Sequence, residues 1–288
     1  MKNRKTAFSL LLALILLGCG VQASAEGSEP VAENLELRTY RNVSVGSRLK
    51  AFDPDDDVVS YTITTDPVKG SIELEENGCF VYTPRENKRG RDYFGYKAVD
   101  SKGNHSQEAT VIIRIEKQKK GVSYTDLEGK GCAWAATVLS ESGIFTGERI
   151  GGSFCFSPER AVSRGEFLAM CLRLQGGEAM RAVMRTGYAD DAAIPVWLKG
   201  CCAASRLNGT APTEMRLDPL APIQADEAAA WLARTLDLPQ IRYMTDQDGA
   251  TQTQCELSAY GIPAPKGNGT LTRAQAAMMF TAALALQE

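Results

Sequence analysis

Two arginines in this 288-residue chain occupy positions where a positive charge is normally unfavourable. Arg164 lies in "SRGEF" and Arg273 in "TRAQA", and each directly follows a residue that can cap a helix. The helix macrodipole disfavours a cation at this end by about a few tenths of a kcal/mol. The same end presents N–H groups that attract anions, and a guanidinium beside them could grip a carboxylate through two hydrogen bonds. The pattern therefore indicates either a carboxylate-binding site or an ion pair with a nearby acid.

The residues flanking these arginines have a simpler explanation in helix architecture. Ser163 is followed three residues later by Glu166, and Thr272 is followed at the same spacing by Gln275. This spacing is typical of a capping box, in which two side chains satisfy backbone N–H groups at a helix start. We therefore predict structural roles for all four residues.

An internal repeat positions the arginines. Apolar residues follow Arg164 and Arg273 at identical helical offsets, and a third copy of the stripe contains Ala228, Trp231 and Leu232. The period is roughly 50 to 60 residues, which is typical of a repeat architecture whose copies bury their cores against each other. Ala225 occupies the arginine position in the middle copy.

The repeats resemble the S-layer homology family. The first copy (122–175) contains "YTD", "CAWA", "FTGERIGGSFCFSP" and "SRGE", the second (186–238) is degenerate, and the third (240–288) is shortened but contains "MTD" and "TRAQ". The resemblance implies an all-α, pseudo-threefold bundle of three helix–loop–helix repeats. It also implies that grooves between repeats bind a secondary cell-wall polysaccharide, often pyruvylated, and so anchor the protein to the wall without a covalent bond.

The resemblance also implies which residues contact the polysaccharide. Those that match the family pattern are Arg164, Arg273, Asp126, Trp134, Gly147, Gly152 and Asp246. Alternatives stay open for several of them: the tryptophan could be a core residue, the first aspartate a helix cap or a partner of the arginine, and the glycines turn residues. Because the second copy lacks the arginine and the third lacks the tryptophan, we expect one strong pocket and one weak pocket.

The preceding part of the chain has a different periodicity. Residues 35–117 contain short segments that alternate polar with apolar residues, separated by turn-forming sequences such as "DPDDD" and "DSKGN". This pattern predicts an all-β sandwich. The segment resembles bacterial cadherin-like, immunoglobulin-like extracellular modules, which implies a spacer or an adhesive unit with a possible protein partner. The lysine-rich residues 118–123 are a predicted linker to the helical repeats.

One acidic cluster in this β segment has two interpretations. Asp53, Asp55 and Asp57 follow a spacing of two, and Asp100 lies in another predicted turn. Carboxylate oxygens are the ligands that calcium prefers. The alternative is an acidic turn exposed to water, and no other cofactor is expected.

The N-terminus indicates export. Residues 1–25 contain a basic start, an apolar run and a small-residue end, as in a cleaved signal peptide, and Cys19 loosely matches a lipidation site. The remaining chain carries 29 basic and 35 acidic residues, which argues against nonspecific nucleic-acid binding. No later segment is expected to span a membrane.

The seven cysteines that follow the predicted signal peptide fit two interpretations. They could be buried thiols, as in an anaerobe, or they could form disulfides, and Cys132–Cys155 is the first pair to test.

The sequence offers little for catalysis. It contains one histidine, His105, and no metal cluster, phosphate-binding loop or serine–histidine–aspartate arrangement. We therefore expect a non-enzymatic, extracellular protein associated with the cell wall of a Gram-positive-type bacterium. The alternative is a protein-interaction or adhesin subunit in which the degenerate repeats are only a scaffold.

Overall fold

The computed structural model describes residues 27–210, 216–238 and 251–287. The predicted signal peptide, Cys19 and Asp246 lie outside these ranges. The described residues form a β module followed by a helical unit. No helix among them combines the length and apolarity that a membrane span requires.

Two packed sheets make up the β module. Its strands are β1 (Val31–Ala32), β2 (Leu35–Tyr40), β3 (Val45–Arg48), β4 (Ala51–Phe52), β5 (Val58–Thr65), β6 (Gly70–Leu74), β7 (Cys79–Pro84), β8 (Gly90–Asp100) and β9 (Ala109–Glu116). One sheet has the order β2-β9-β8-β5, the other has the order β3-β7-β6, and β1 pairs with β4. The β2–β9 pair is parallel, and the other pairs are antiparallel.

Alternation along the strands builds the core between the sheets. In β7, Phe80 and Tyr82 point inward, and in β8 Phe94 and Tyr96 do the same; all four side chains are buried. The two buried tyrosine hydroxyls are satisfied, since Tyr82 donates to Asp92 (2.7 Å) and Tyr96 donates to backbone carbonyls. The predicted β-sandwich is confirmed, and its first strand begins before residue 35.

Six α-helices make up the helical unit as three consecutive pairs. They are α1 (Ala133–Glu141), α2 (Arg164–Leu174), α3 (Val196–Leu207), α4 (Ala225–Thr235), α5 (Gln252–Ala259) and α6 (Arg273–Ala285). A hairpin of β10 (Glu148–Ile150) and β11 (Ser153–Cys155) lies between α1 and α2. The helical unit therefore contains two strands, whereas the sequence predicted only α-helices. Gly151 and Gly152 form the hairpin turn with φ of 57° and 92°.

The segments that precede α2, α4 and α6 close a ring of hydrogen bonds. Val162 N–H donates to the carbonyl of Leu271 (2.9 Å), Leu271 N–H to that of Ile223 (3.0 Å), and Ile223 N–H to that of Val162 (2.9 Å). All three side chains are buried. We call these three segments (161–163, 222–224 and 270–272) the closing ring.

The helices follow the same cyclic order. The first helix of each pair packs on the second helix of the preceding pair: α3 on α2, α5 on α4, and α1 on α6. The last contact joins the beginning of the helical unit to its end. The three pairs therefore contact one another in a closed cycle.

No disulfide joins the cysteines of the part of the chain that the structure describes. All seven cysteines within the described ranges are unpaired thiols, including Cys132 and Cys155. Burial raises the pKa of Cys132 to about 11 and that of Cys171 to about 12. These thiols therefore stay protonated near neutral pH, and they pack as small apolar side chains.

Candidate inter-repeat binding site

Arg273, one of the two arginines predicted to contact the polysaccharide, crosses from one helix pair to the next. It is the first residue of α6, directly after the N-cap Thr272, and the predicted capping box with Gln275 is present. Its Nη2 lies 3.0 Å from both Glu148 Oε1 and Glu166 Oε1, and its Nη1 donates to the Phe156 carbonyl (3.1 Å).

The surroundings of Arg273 are almost closed to solvent. The residue is 2% exposed, and its guanidinium carbon lies 5.0 Å from the centre of the Phe145 ring. Both carboxylates come from the first pair or its hairpin, so the arginine ties the end of the helical unit to its beginning.

Arg164 makes the equivalent crossing from the first pair to the second. It is the first residue of α2, and the predicted capping box of Ser163 and Glu166 is present. Its Nε donates to the Leu217 carbonyl (2.6 Å), and its Nη1 lies 2.6 Å from Glu227 Oε1. Its guanidinium carbon lies 5.3 Å from the centre of the Trp231 ring.

The two crossings use equivalent partners. Glu227 is the third residue of α4, as Glu166 is of α2. A cation at the first position therefore reaches an acid at the third position of the neighbouring pair's second helix. The ion pairs that the sequence left open as an alternative are therefore present at both helix starts. At the third crossing Ala225 has no such side chain, and its N–H donates to the Gly269 carbonyl (2.8 Å).

The ion pairs change the titration of one acid. The hydrogen bond from Arg273 holds the pKa of Glu148 below its ordinary value of 4.5, although partial burial opposes the shift. The Arg160 guanidinium, which also pairs with Glu148, adds to the lowering. The carboxylate is therefore charged at neutral pH and neutralises part of the buried arginine charge.

Asp126 fixes the loop that leads into α2. Its two carboxylate oxygens accept the N–H groups of Phe156 (3.0 Å) and Ser157 (2.7 Å). Asp190 does the same in the second pair, where it accepts the N–H groups of Leu217 (3.0 Å) and Asp218 (2.7 Å). These aspartates therefore hold in place the loop carbonyls that the arginines contact. A polysaccharide contact by Asp126 stays a prediction.

An open groove lies beside Arg164, between the first and second pairs. Its volume is about 370 Å³. The polar or charged side chains that line it are Arg164, Asp218, Gln224 and Glu227, and the apolar ones include Ala193, Pro219, Leu220 and Pro222. We call it the Arg164 groove. Its lining thus combines one guanidinium, two carboxylates and one amide with apolar surface.

Trp134 lies away from this groove. It is the second residue of α1 and packs, half-buried, against the core of the β module. Trp197 is the second residue of α3 and so the equivalent residue of the second pair, and it is 60% exposed. This equivalence is not among the predictions from sequence, although "CAWA" and "PVWL" place a tryptophan at the same helix position.

The predicted loop glycines have turn roles. Gly147 has a φ of 75°, and a Cβ there would lie 2.5 Å from the Cys155 carbonyl oxygen. Gly152 belongs to the hairpin turn and faces open space. The turn-chemistry alternative therefore accounts for both residues, and a polysaccharide contact stays a prediction.

The acidic cluster of the β module contains three of the four predicted residues. Ligand oxygens of Asp53, Asp55 and Asp57 lie within 4.8 Å of one another. Asp53 is 6% exposed, and one of its oxygens is buried without a hydrogen-bond partner among the described residues; the same holds for one oxygen of Asp57. Asp100 instead accepts the N–H groups of Lys102 and Asn104, which holds its own turn.

The fold of the N-terminal half defines an immunoglobulin-like β-sandwich module. Residues 28–117 match the family described as "Bacterial cadherin-like domain". This match confirms the cadherin-like resemblance of the β module and covers no part of the helical unit. No curated protein matches the chain.

The solved structures that match the chain include three that show low similarity to it. A mutant of the SrpA adhesin from Streptococcus sanguinis is 14% identical over 34% of this chain and 64% of its own, with a TM-score of 0.27. The endo-fucoidan hydrolase MfFcnA4 is 15% identical over 34% and 15% of the two chains, with a TM-score of 0.27. Titin domain M7 is 14% identical over 31% and 95%, with a TM-score of 0.22. The chain thus spans less than two thirds of the adhesin and of the hydrolase.

Proposed function

We propose that this protein is a non-enzymatic, extracellular surface protein whose helical unit binds an acidic cell-wall polysaccharide in the Arg164 groove. The observation that carries the proposal is an arginine at a helix start that lines an open groove between two repeats. The first N–H groups of α2 donate to the Ala221 and Pro219 carbonyls, so the guanidinium of Arg164 is the group that favours a carboxylate, such as that of a pyruvylated sugar. The resemblance of the repeats to the S-layer homology family supports the same ligand class.

The proposal assigns different roles to the two arginines. Arg164 has a side chain that is 16% exposed and lines the groove, so a ligand carboxylate can approach it. Arg273 is 2% exposed and contacts two carboxylates of its own chain, so we assign it to the fold. Trp197 is an exposed aromatic side chain of the second pair, which supplies the other lining residues of the groove, and we assign it to stacking on a sugar ring.

Co-sedimentation with purified cell walls tests the proposal. We expect the wild-type protein to pellet with native walls and Arg164→Gln to stay in the supernatant. Arg206→Gln is the matched control, because this arginine stacks on Tyr188 (4.8 Å) and does not line the groove. Equal pelleting of the Arg164 variant, or undiminished binding to walls stripped of polysaccharide, would contradict the proposal.

We propose a calcium ion as a second ligand, in the β module. The two buried oxygens of Asp53 and Asp57 that have no hydrogen-bond partner among the described residues favour a cation over a solvated turn, because a buried unpaired carboxylate oxygen is costly. Asp55 would add a third oxygen. When bound, calcium would offset two of the three carboxylate charges. Asp55 also accepts the N–H of Ser28 (2.9 Å). An ion held by Asp55 would therefore stabilise the position of the first residues of the module.

The protein-interaction alternative rests on the exposed face of the β module. Tyr93 and Ile112 are cross-strand partners, 57% and 38% exposed. Aromatic residues on such a surface are common in protein contacts. If this alternative holds, Tyr93→Ser abolishes capture of a surface partner by the full chain, while co-sedimentation with walls stays unaffected by Arg164→Gln.

A further inference from the structure

The β module and the helical unit meet where the edge of β3 faces the start of α1. Gly46 N–H donates to the Gly131 carbonyl (2.9 Å), and Trp134 N–H donates to the Ser44 carbonyl (3.0 Å). The second donor belongs to the first turn of α1, where the helix itself supplies no acceptor. The junction therefore satisfies the Gly46 N–H and the Ser44 carbonyl at the strand edge, and the Trp134 N–H at the helix start.

Two glycines permit this close approach. A Cβ on Gly46 would lie 2.9 Å from the Gly131 Cα, and a Cβ on Gly131 would lie 3.3 Å from the Gly46 Cα. Neither glycine has a positive φ, so neither is needed for its backbone conformation. What requires them is the contact between the modules.

Apolar side chains cross the junction in both directions. Trp134 of the helical unit packs against the core of the β module. Val43, two residues before β3, packs against the core of the helical unit. Each module therefore covers part of the other's apolar surface, and separation would expose both side chains to water.

Glu141, at the end of α1, fastens the connecting segment. One of its oxygens accepts the Tyr40 hydroxyl (2.5 Å), and the other accepts the N–H groups of Lys119 (3.0 Å) and Lys120 (3.1 Å). Both lysines belong to the predicted linker. Gln118 adds a hydrogen bond from its side chain to the Lys120 carbonyl (2.7 Å). Glu141 thus connects the linker segment and the β module to the end of α1.

We infer that this junction is a docking interface that fixes the β module at one angle to the helical unit. Trp134 is its docking residue, and the Gly46–Gly131 pair determines the fit. The interface also covers the β3 edge, which would otherwise present unpaired backbone groups to other chains. A wall-bound helical unit would then present the β module in one orientation instead of on a flexible tether. The inference is independent of wall binding.

Hydrogen exchange of the full chain tests the interface residue by residue. We expect slow exchange of the amides of Gly46 and Trp134 in the wild type. Gly46→Ala forces the modules apart and is expected to accelerate exchange of the Trp134 amide by about tenfold or more, as expected from loss of one to two hydrogen bonds. Gly269→Ala is the matched control, because its Cβ would meet no atom within 4 Å and its φ is not positive.

A second pair of variants covers the case that Gly46→Ala disturbs the β module itself. Tyr40→Phe removes the hydroxyl that Glu141 accepts, whereas Tyr124→Phe removes a hydroxyl bonded to Thr146 within the helical unit. Only the first is expected to accelerate exchange at Lys119. Small-angle scattering of the wild type is expected to fit one arrangement of the two modules. Rapid exchange of the wild-type Trp134 amide, or scattering that requires many arrangements, would overturn the inference.

Discussion

Substitution of Arg273 by methionine separates the structural role of this arginine from a ligand role. Methionine keeps an unbranched side chain against Phe145 but removes every donor. Loss of the arginine leaves the Phe156 carbonyl without a side-chain donor and leaves Glu166 near a buried site without its cation. We therefore expect a loss of folding stability and not only a loss of binding.

The magnitude follows from the burial of the partners. Breaking a buried ion pair from one side costs about 3–5 kcal/mol, but Glu166 is 20% exposed and Glu148 is 40% exposed, so water recovers part of this cost. The expected loss is about 2–4 kcal/mol. For a chain of this size about 2–4 °C of melting temperature accompanies each kcal/mol, so the midpoint should fall by roughly 10 °C.

Urea denaturation followed by far-ultraviolet circular dichroism measures this loss. Arg160→Met is the matched control, because Arg160 pairs with the same Glu148 but has a side chain that is 51% exposed. The control should lose no more than about 1 kcal/mol. If Arg273→Met and the control were equally stable, the assignment of Arg273 to the fold would be refuted. This result also decides how a wall-binding defect of any Arg273 variant is interpreted.

Three further predictions concern carboxylates. Asp126→Asn should destabilise the protein by about 2 kcal/mol in urea denaturation, because two charge-assisted hydrogen bonds to the loop before α2 are weakened. Calcium should raise the melting temperature of the wild type in calorimetry, and Asp53→Asn should abolish the rise. Because the folded-state pKa of Glu148 is lowered, its stabilisation is present above its ordinary value of 4.5 and is lost as the pH falls through the lowered value. Urea titrations on both sides of that value should show this loss, and Arg273→Met should flatten it.

For each of these three predictions, one experimental result would contradict it. Asp190→Asn should behave as Asp126→Asn does, because the two aspartates make equivalent contacts; stability unchanged in both would show that the loops do not need them. A calcium effect that survives Asp53→Asn would place the ion elsewhere. If the folding stability of the wild type and of Arg273→Met fell equally as the pH is lowered, the loss would not arise from the ion pair between Glu148 and Arg273.

Local features of the helical unit were predictable from sequence, and long-range ones were not. The capping boxes of α2 and α6 depend on residues three apart, so the spacing of Ser163 and Glu166 was sufficient. The offsets of apolar residues also identified the repeat. The partners of Arg164 lie 53 and 63 positions away in the second pair, and nothing in the local pattern indicates which acid it reaches.

The location of Trp134 shows a second limit of prediction from sequence. Its flanking alanines and helix position are the same whether it faces a ligand, a core or another module. Only the approach of β3, permitted by Gly46 and Gly131, determines that it docks on the β module. The hairpin between α1 and α2 was missed for a related reason, since its glycine-rich turn and three-residue strands carry almost no periodic signal.

The closing ring has a consequence for the number of repeats. In an open array each repeat contacts only its neighbours, so repeats can be added or removed at an end with little disturbance. Here each of the three ring segments donates to one partner and accepts from the other, and α1 covers α6. A fourth pair would have no place in the ring, and loss of one would leave two segments with unmet backbone groups. Duplication of a single pair would therefore break the ring, whereas duplication of all three pairs would supply the segments of a second ring.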